Sequence, residues 1–308
     1  MVRILYLLIV YKNVEQVIRL VRRLNGPNIK FLIHVDRRTD DSFVERLRAA
    51  VSDHADCEFL PRIPVRWGGW GLVQVTLNAV RQVVERSIPG DFLVYMSGQD
   101  YPLKANREIT AFFAANRGRQ FMEVFSMPYA HWPGRGGMNR IDVYHFHFRR
   151  WHWVYPPYGD QESLPLVMER LKKVLPFTSR RLPHGYKPYG GFAAVILARN
   201  AIEYIAEFTE SAVGREIVRF FRMTRHPDEI FFQTVIMNSA LRDTVVNDEL
   251  RYVDWSGGGA HPAILTRKDF DRLVDSGKLF ARKFDTTVDA EILDMLDEHR
   301  VAGAYRAM

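Results

Sequence analysis

The sequence predicts an α/β protein built on a mostly parallel sheet, and three observations predict it. The continuous apolar run Ile4–Val10 reads as a strand covered on both faces, and Ile29–Val35 and residues 92–96 read as further strands. Stretches with apolar residues at helical spacing follow them, and the connections are short, as helix-covered parallel sheets require. The alternation runs through about residue 125.

Taken in order, each element has its own warrant. After the first strand Asn13 can cap a helix, with Gln16 three residues on, Val14, Val17, Ile18, Val21 and Leu24 giving one apolar face, and Asn25-Gly26-Pro27 stopping it. The second strand ends at Asp36. Residues 42–51 read as a helix and 57–60 as a short strand, and Val65-Arg66-Trp67-Gly68-Gly69-Trp70 makes a glycine-rich corner before a helix over 73–86. Asn106 is placed to cap a helix running to about Ala115, and 121–125 is a strand again. From 127 to 190 the composition changes: Trp132, Tyr144, Trp151, Trp153, Tyr155, Tyr158, His145, His147, His152, Arg149 and Arg150 fall among prolines and glycines, as in a binding insert or a hairpin packed on the sheet. Beyond it come a strand over 192–197, a helix opened by Asn200 and another over 214–223. Pro227 then suits a first helical position, with Ile230, Phe231, Val235 and Ile236 burying the helix that follows. A strand over 250–255, a helix capped by Thr266 with Asp269 and ended by Gly277, an extended piece over 279–285 and a helix over 290–299 complete the chain.

Composition bounds the function. The 308 residues are 47% hydrophobic and 26% charged, which excludes a disordered or fibrous chain. With 43 Lys plus Arg against 36 Asp plus Glu, net +7, the protein should favour anionic partners. The single cysteine, Cys57, excludes an internal disulfide and suggests a reducing compartment. Met1 to Val10 reads as a strand rather than a signal peptide, and no stretch approaches the roughly 18 apolar residues of a membrane span. The expected location is therefore cytoplasmic. No GxGxxG follows the first strand, which counts against a dinucleotide oxidoreductase.

Open parallel sheets bind ligands beyond the carboxyl ends of their strands, which directs attention to Tyr11, Asp36, the corner from Arg66 to Trp70, and Ser97 to Asp100. Asp100 reads equally well as a loop-fixing carboxylate accepting backbone N–H bonds. Pro227-Asp228-Glu229 sets two carboxylates at the start of an apolar helix; either is a candidate general base, although acidic residues in a first turn also simply complement the helix dipole. His145 and His147 lack the spacing of a metal site. Asp269-Phe270-Asp271 is a DxD, but one read as a helix-capping pattern rather than a metal site.

Five blocks, in order, resemble the core-2/I-branching glycosyltransferases, the inverting enzymes that include branching β-1,6-N-acetylglucosaminyltransferases and peptide xylosyltransferases. They are Phe31-Leu32-Ile33-His34-Val35-Asp36, Val65-Arg66-Trp67-Gly68-Gly69, Ser97-Gly98-Gln99-Asp100-Tyr101-Pro102-Leu103-Lys104, Pro227-Asp228-Glu229 and Leu279-Phe280-Ala281-Arg282-Lys283-Phe284-Asp285. The resemblance implies a GT-A type fold with a Rossmann-like sheet in one fused domain, residues 1–126 holding a UDP-sugar and 127–308 holding the acceptor and the catalytic groups. It implies Glu229 as the catalytic base, Asp36 as a uridine contact, and Arg251 and Lys283 as the cations that hold the diphosphate without a metal or other cofactor. Arg66 and Asp100 join the expected donor site, and Glu123, Trp132 and His226 are candidates on the acceptor side. The animal members are anchored and disulfide-bonded. This chain shows neither feature, which favours a bacterial enzyme acting on a glycan, a lipid-linked saccharide or a polysaccharide intermediate, with a basic surface suited to peripheral contact with an anionic membrane. GlcNAc is the expected donor sugar ahead of xylose, and no nucleic acid partner is expected. The competing expectation is a non-catalytic carbohydrate- or nucleic-acid-binding protein on the same fold.

Overall fold

The computed structural model of the protein describes residues 1–53, 55–148, 151–155, 180–258 and 261–306. β1 (Ile4–Val10), β2 (Ile29–Val35) and β3 (Cys57–Phe59) run parallel, linked by α1 (Val14–Leu24) and α2 (Asp41–Val51). α3 (Gly71–Glu85) leads to β4 (Phe92–Ser97), which pairs in parallel with the other side of β1. Every residue of β1 is buried, because both its faces are covered. Ile4, Tyr6, Leu8 and Val10 face the core under α1 and α2, while Leu5, Leu7 and Ile9 face the core under α3.

Next come β5 (Asp100–Pro102), α4 (Asn106–Ala115), β6 (Gln120–Met122) and β7 (Phe125–Ser126). The second half supplies β8 (Tyr144–Phe148), β9 (Trp151–Tyr155), β10 (Tyr189–Gly190), β11 (Ile196–Ala198), β12 (Val245–Asn247), β13 (Arg251–Val253) and β14 (Phe280–Arg282). Among the described residues the main sheet has seven strands in the order β12-β6-β11-β4-β1-β2-β3, with β11 antiparallel to both its neighbours. A three-stranded sheet, β13-β14-β5, crosses the carboxyl end of β4. Both sheets therefore mix strands from the two halves of the chain. The result is the expected class: mixed α/β, a mostly parallel Rossmann-like sheet flanked by helices. No helix among the described residues is long and apolar enough to cross a membrane.

Local expectations differ from the structure in instructive ways. Asn13 does not cap α1; its backbone is left-handed (φ 55°) and its side chain donates to Asp285 Oδ1 at 2.8 Å. Gln16 likewise serves long-range contacts, donating to the carbonyls of Gly98 (2.7 Å) and Phe284 (3.2 Å). Asn106 is the first residue of α4 rather than its cap, and its amide satisfies the carbonyls of Leu24 (3.1 Å) and Asn25 (2.8 Å) at the end of α1. The strand expected over 121–125 splits into β6 and β7, because at Gly191 another segment passes so close to Glu123 that a Cβ there would sit 1.9 Å from its carbonyl oxygen. Arg149, Arg150, Tyr158 and Gly259 lie outside the described residues, as do the side chains of His147, Trp151, His152 and Trp153.

Candidate active site

Pro227–Glu229 forms a single 3₁₀ turn entered through His226 in the left-handed region (φ 49°), and the α-helix Phe231–Met237 starts only after it. The turn separates the two carboxylates. Asp228 is 9% exposed and its Oδ1 has no hydrogen-bond partner among the described residues. Glu229, with its side chain 29% exposed, lines a cleft of about 690 Å³ together with Trp67, Trp132, Trp255, Phe192, Glu123 and Arg225. Burial raises the pKa of both carboxyls, and the neighbouring charge of Glu229 raises Asp228 further. For Glu229 the rise is opposed by the charge and hydrogen bond of Arg140 and by the charge of Arg225. Arg140 Nη1 donates to Glu229 Oε2.

The glycine-rich corner docks on this turn. His226 N–H donates to Gly68 O at 2.9 Å, and the rings of Trp67 and His226 meet edge-on at 4.4 Å. Gly68 has φ +72° and faces the His226 ring so closely that a Cβ would lie 3.2 Å from it. Trp67 stays 59% exposed at the mouth of the cleft, an apolar face beside polar groups of the kind a sugar ring can cover. Arg66, half-buried in the same corner, has no side-chain hydrogen bond or ion pair with any described residue.

A second cluster is basic. Lys283 follows β14 and has its pKa lowered by burial and by the charges of Lys12 and Arg282, so three cations crowd one place. Lys12 is held by Asp285 at 2.7 Å, whose carboxyl lies well below the usual range through the Lys12 and Thr287 hydrogen bonds. Arg282 lies with its guanidinium carbon 5.5 Å from the ring of Phe192, which joins this cluster to the cleft. Sequence reasoning assigned roles to neither Arg282 nor Lys12, although both stand beside motif residues.

Arg251 is placed differently from its expected diphosphate role. It is 1% exposed: Nη1 donates to Glu249 O (3.0 Å), Nη2 to Tyr95 O, and Nε lies 3.7 Å from Asp100 Oδ1. Its strand, β13, pairs with β14, the strand that leads to Lys283. Asp100, fully buried, accepts Ser97 N–H and sits 3.8 Å from Arg282 Nε as well. These contacts are those of the loop-fixing alternative. Asp36 is at the expected strand end, 4% exposed, but its oxygens take Arg38 N–H (2.9 Å), Nε (3.1 Å) and Nη2 (2.7 Å) and Val65 N–H (3.2 Å). These bonds hold the start of the glycine-rich corner against β2.

Among the described residues no three His, Cys, Asp or Glu side chains gather as a metal-binding group. Asp269 accepts from Thr266 N–H at 2.8 Å in a capping box, so the DxD is used as a cap. His145 is buried, with Nε2 2.9 Å from Asn139 O. The residue that sequence reasoning missed at the base itself is Arg140; it lies in the compositionally irregular insert, where no periodicity or motif marked it.

Three kinds of comparison relate the chain to known proteins. Human xylosyltransferase 2 is 30% identical over 325 residues, covering 99% of this chain and 34% of the relative. Human xylosyltransferase 1 is 27% identical over 326 residues, covering 99% and 31%. The chain thus spans about a third of the length of these relatives. Among solved structures, apo mouse xyloside xylosyltransferase 1 aligns with a TM-score of 0.37 at 10% identity, over 90% of this chain and 97% of that one. The yeast (S. cerevisiae) mannosyltransferase Ktr4p aligns with a TM-score of 0.38 at 9% identity, over 78% and 67%. The model of the Core-2/I-branching enzyme family matches residues 4–273, and the chain belongs to that family.

Proposed function

We propose that the protein is an inverting glycosyltransferase that moves a sugar from a UDP-sugar to a hydroxyl of a glycan or lipid-linked saccharide, the latter met at a membrane surface on the cytoplasmic side. The observation that carries this reading is the pairing of a partly exposed carboxylate, Glu229, in an aromatic-lined cleft with a cluster of three cations whose Arg282 lies against the cleft residue Phe192. Glu229 takes the proton of the acceptor hydroxyl as its oxygen bonds the anomeric carbon. The bond from that carbon to UDP breaks, and the electron pair leaves on the diphosphate. Lys283, with Arg282 and Lys12 beside it, stabilises that charge without a metal, and the buried Arg251 adds to the field from beneath. Asp36 shapes the uridine end through Arg38 and the corner, where Arg66 is free to meet the nucleotide. On this reading residues 1–126 serve mainly the donor and 127–308 mainly the acceptor. UDP-xylose comes first among donors because the relatives above are named xylosyltransferases, and UDP-GlcNAc second because the branching enzymes share the family's motifs.

The test is calorimetric titration with UDP in EDTA and then with manganese, followed by UDP release from each donor by the wild type and Glu229→Gln. Binding in EDTA that manganese leaves unchanged supports the metal-free site, and Glu229→Gln should bind UDP normally while losing roughly 10²- to 10⁴-fold in turnover. A variant within a few-fold of wild type removes Glu229 from the mechanism. Absence of UDP binding under both conditions favours a non-catalytic carbohydrate-binding protein.

A further inference from the structure

Arg140 is held by an arrangement too specific to be a surface ion pair. Its guanidinium carbon lies 3.8 Å from the centre of the Trp132 ring and its side chain is only 16% exposed. Trp132 is itself wedged: a Cβ at Gly137 would come within 2.4 Å of its ring and one at Gly190 within 2.9 Å, and the Phe125 ring abuts it edge-on at 4.9 Å. The backbone of Arg140 is tied to the same segment its side chain serves, since Arg140 O accepts from Arg225 N–H at 3.0 Å, four residues before Glu229. Nη1 then donates to Glu229 Oε2, while Oε1 accepts no hydrogen bond from any described residue.

We propose that Arg140 is the positioning residue for Glu229, fixing Oε2 so that Oε1 is left facing the cleft to take the acceptor's proton. The inference rests on the reading of Glu229 as base. Trp132 sets the height of the guanidinium, and the planar group stacked on its ring fixes the direction in which Nη1 points at Oε2, which an ammonium on a flexible stem does not do. The pairing also opposes the upward shift that burial gives the Glu229 carboxyl. The charged and titratable groups facing Glu229 are Asp228 on its own turn, His226 and Arg225 before it, Arg140 from the insert and Glu123 across the cleft. Of these, only Arg140 is hydrogen-bonded to the carboxylate among the described residues.

The experiment follows the Glu229 carboxyl directly, by carbon NMR of protein labelled at the glutamate carboxyl carbons, with the resonance assigned by its absence in Glu229→Gln. Arg140→Met and Arg140→Gln remove the charge; Arg140→Lys keeps it without the fork. UDP affinity, measured in each variant, reports that the donor half is folded. We expect both neutral variants to raise the Glu229 midpoint by about one to three pH units, as loss of a contacting opposite charge does. Arg140→Lys should titrate close to wild type yet lose on the order of a hundredfold in turnover through misaim alone. An unchanged midpoint in both neutral variants overturns the proposal, and so does Arg140→Lys with wild-type turnover. Turnover in Glu229→Gln separates the two claims: if that variant is active, Glu229 is not the base, while the titration still reports whether Arg140 controls it.

Discussion

A carboxyl group buried with one oxygen unpaired makes stability depend on pH, and Asp228 is such a group. Its folded-state pKa is raised above its unfolded value, so its contribution is fully present below the ordinary carboxylate range and is lost as pH rises through the raised value. Asp228→Asn removes that titration. The variant should therefore gain on the wild type as pH rises from 5 to 8, by at most about 1.4 kcal/mol per pH unit across the titration. Urea unfolding at both pH values measures this, and a stability difference that is the same at pH 5 and pH 8 contradicts it. At this scale the structure places Glu229 on a cleft and Arg251 in the interior. Both were picked by motif, but a motif carries chemical type and not burial. The fully buried guanidinium of Arg251 is known only once β13 is laid against β14 and the carbonyls of Tyr95 and Glu249 are in place.

At the scale of elements, the central strand of the main sheet was legible because β1 is apolar on both faces, and β2 because its inward face Ile29, Phe31, Ile33 and Val35 is apolar throughout. The caps were less so. Asn13 and Asn106 have the right chemistry for helix starts, and both instead satisfy groups far along the chain, because a short amide that can cap locally can equally reach a neighbouring loop. The glycine-rich corner was visible as a turn, but its docking onto the His226 turn was not, since it depends on two segments distant in sequence. That docking gives a prediction. Gly68→Ala forces a side chain into a left-handed backbone, at about 1–2 kcal/mol, and brings a methyl group against the His226 ring. The loss should appear in equilibrium unfolding, with turnover falling further than UDP affinity because the displaced segment carries Glu229. A variant that loses UDP affinity in step with turnover would show that the corner serves the nucleotide alone.

Across the whole molecule, the proposed base and the proposed diphosphate cations come from different layers. Glu229 hangs from the segment joined to the helix Phe231–Met237, whereas Lys283 follows β14, in the small sheet laid over the end of β4. Alternation of strand and helix foretold the layers, but it gave no means of foretelling that strands from both halves would interleave, since β5, β13 and β14 are three residues each and carry no periodicity of their own. Separate supports make the two functions separable by mutation. Lys283 is partly desolvated and pressed by Lys12 and Arg282, so an arriving diphosphate relieves like-charge repulsion as well as gaining a hydrogen bond. Lys283→Ala should therefore weaken UDP binding roughly ten- to hundredfold, the worth of one charged hydrogen bond. Trp255, exposed on the rim of the cleft, should leave UDP affinity within about twofold when changed to Ala, in line with a surface side chain remote from such features. Calorimetry on the two variants decides the matter. Equal losses would mean that the cleft and the basic cluster bind one undivided ligand face, and an unchanged affinity in Lys283→Ala would move the diphosphate away from β14.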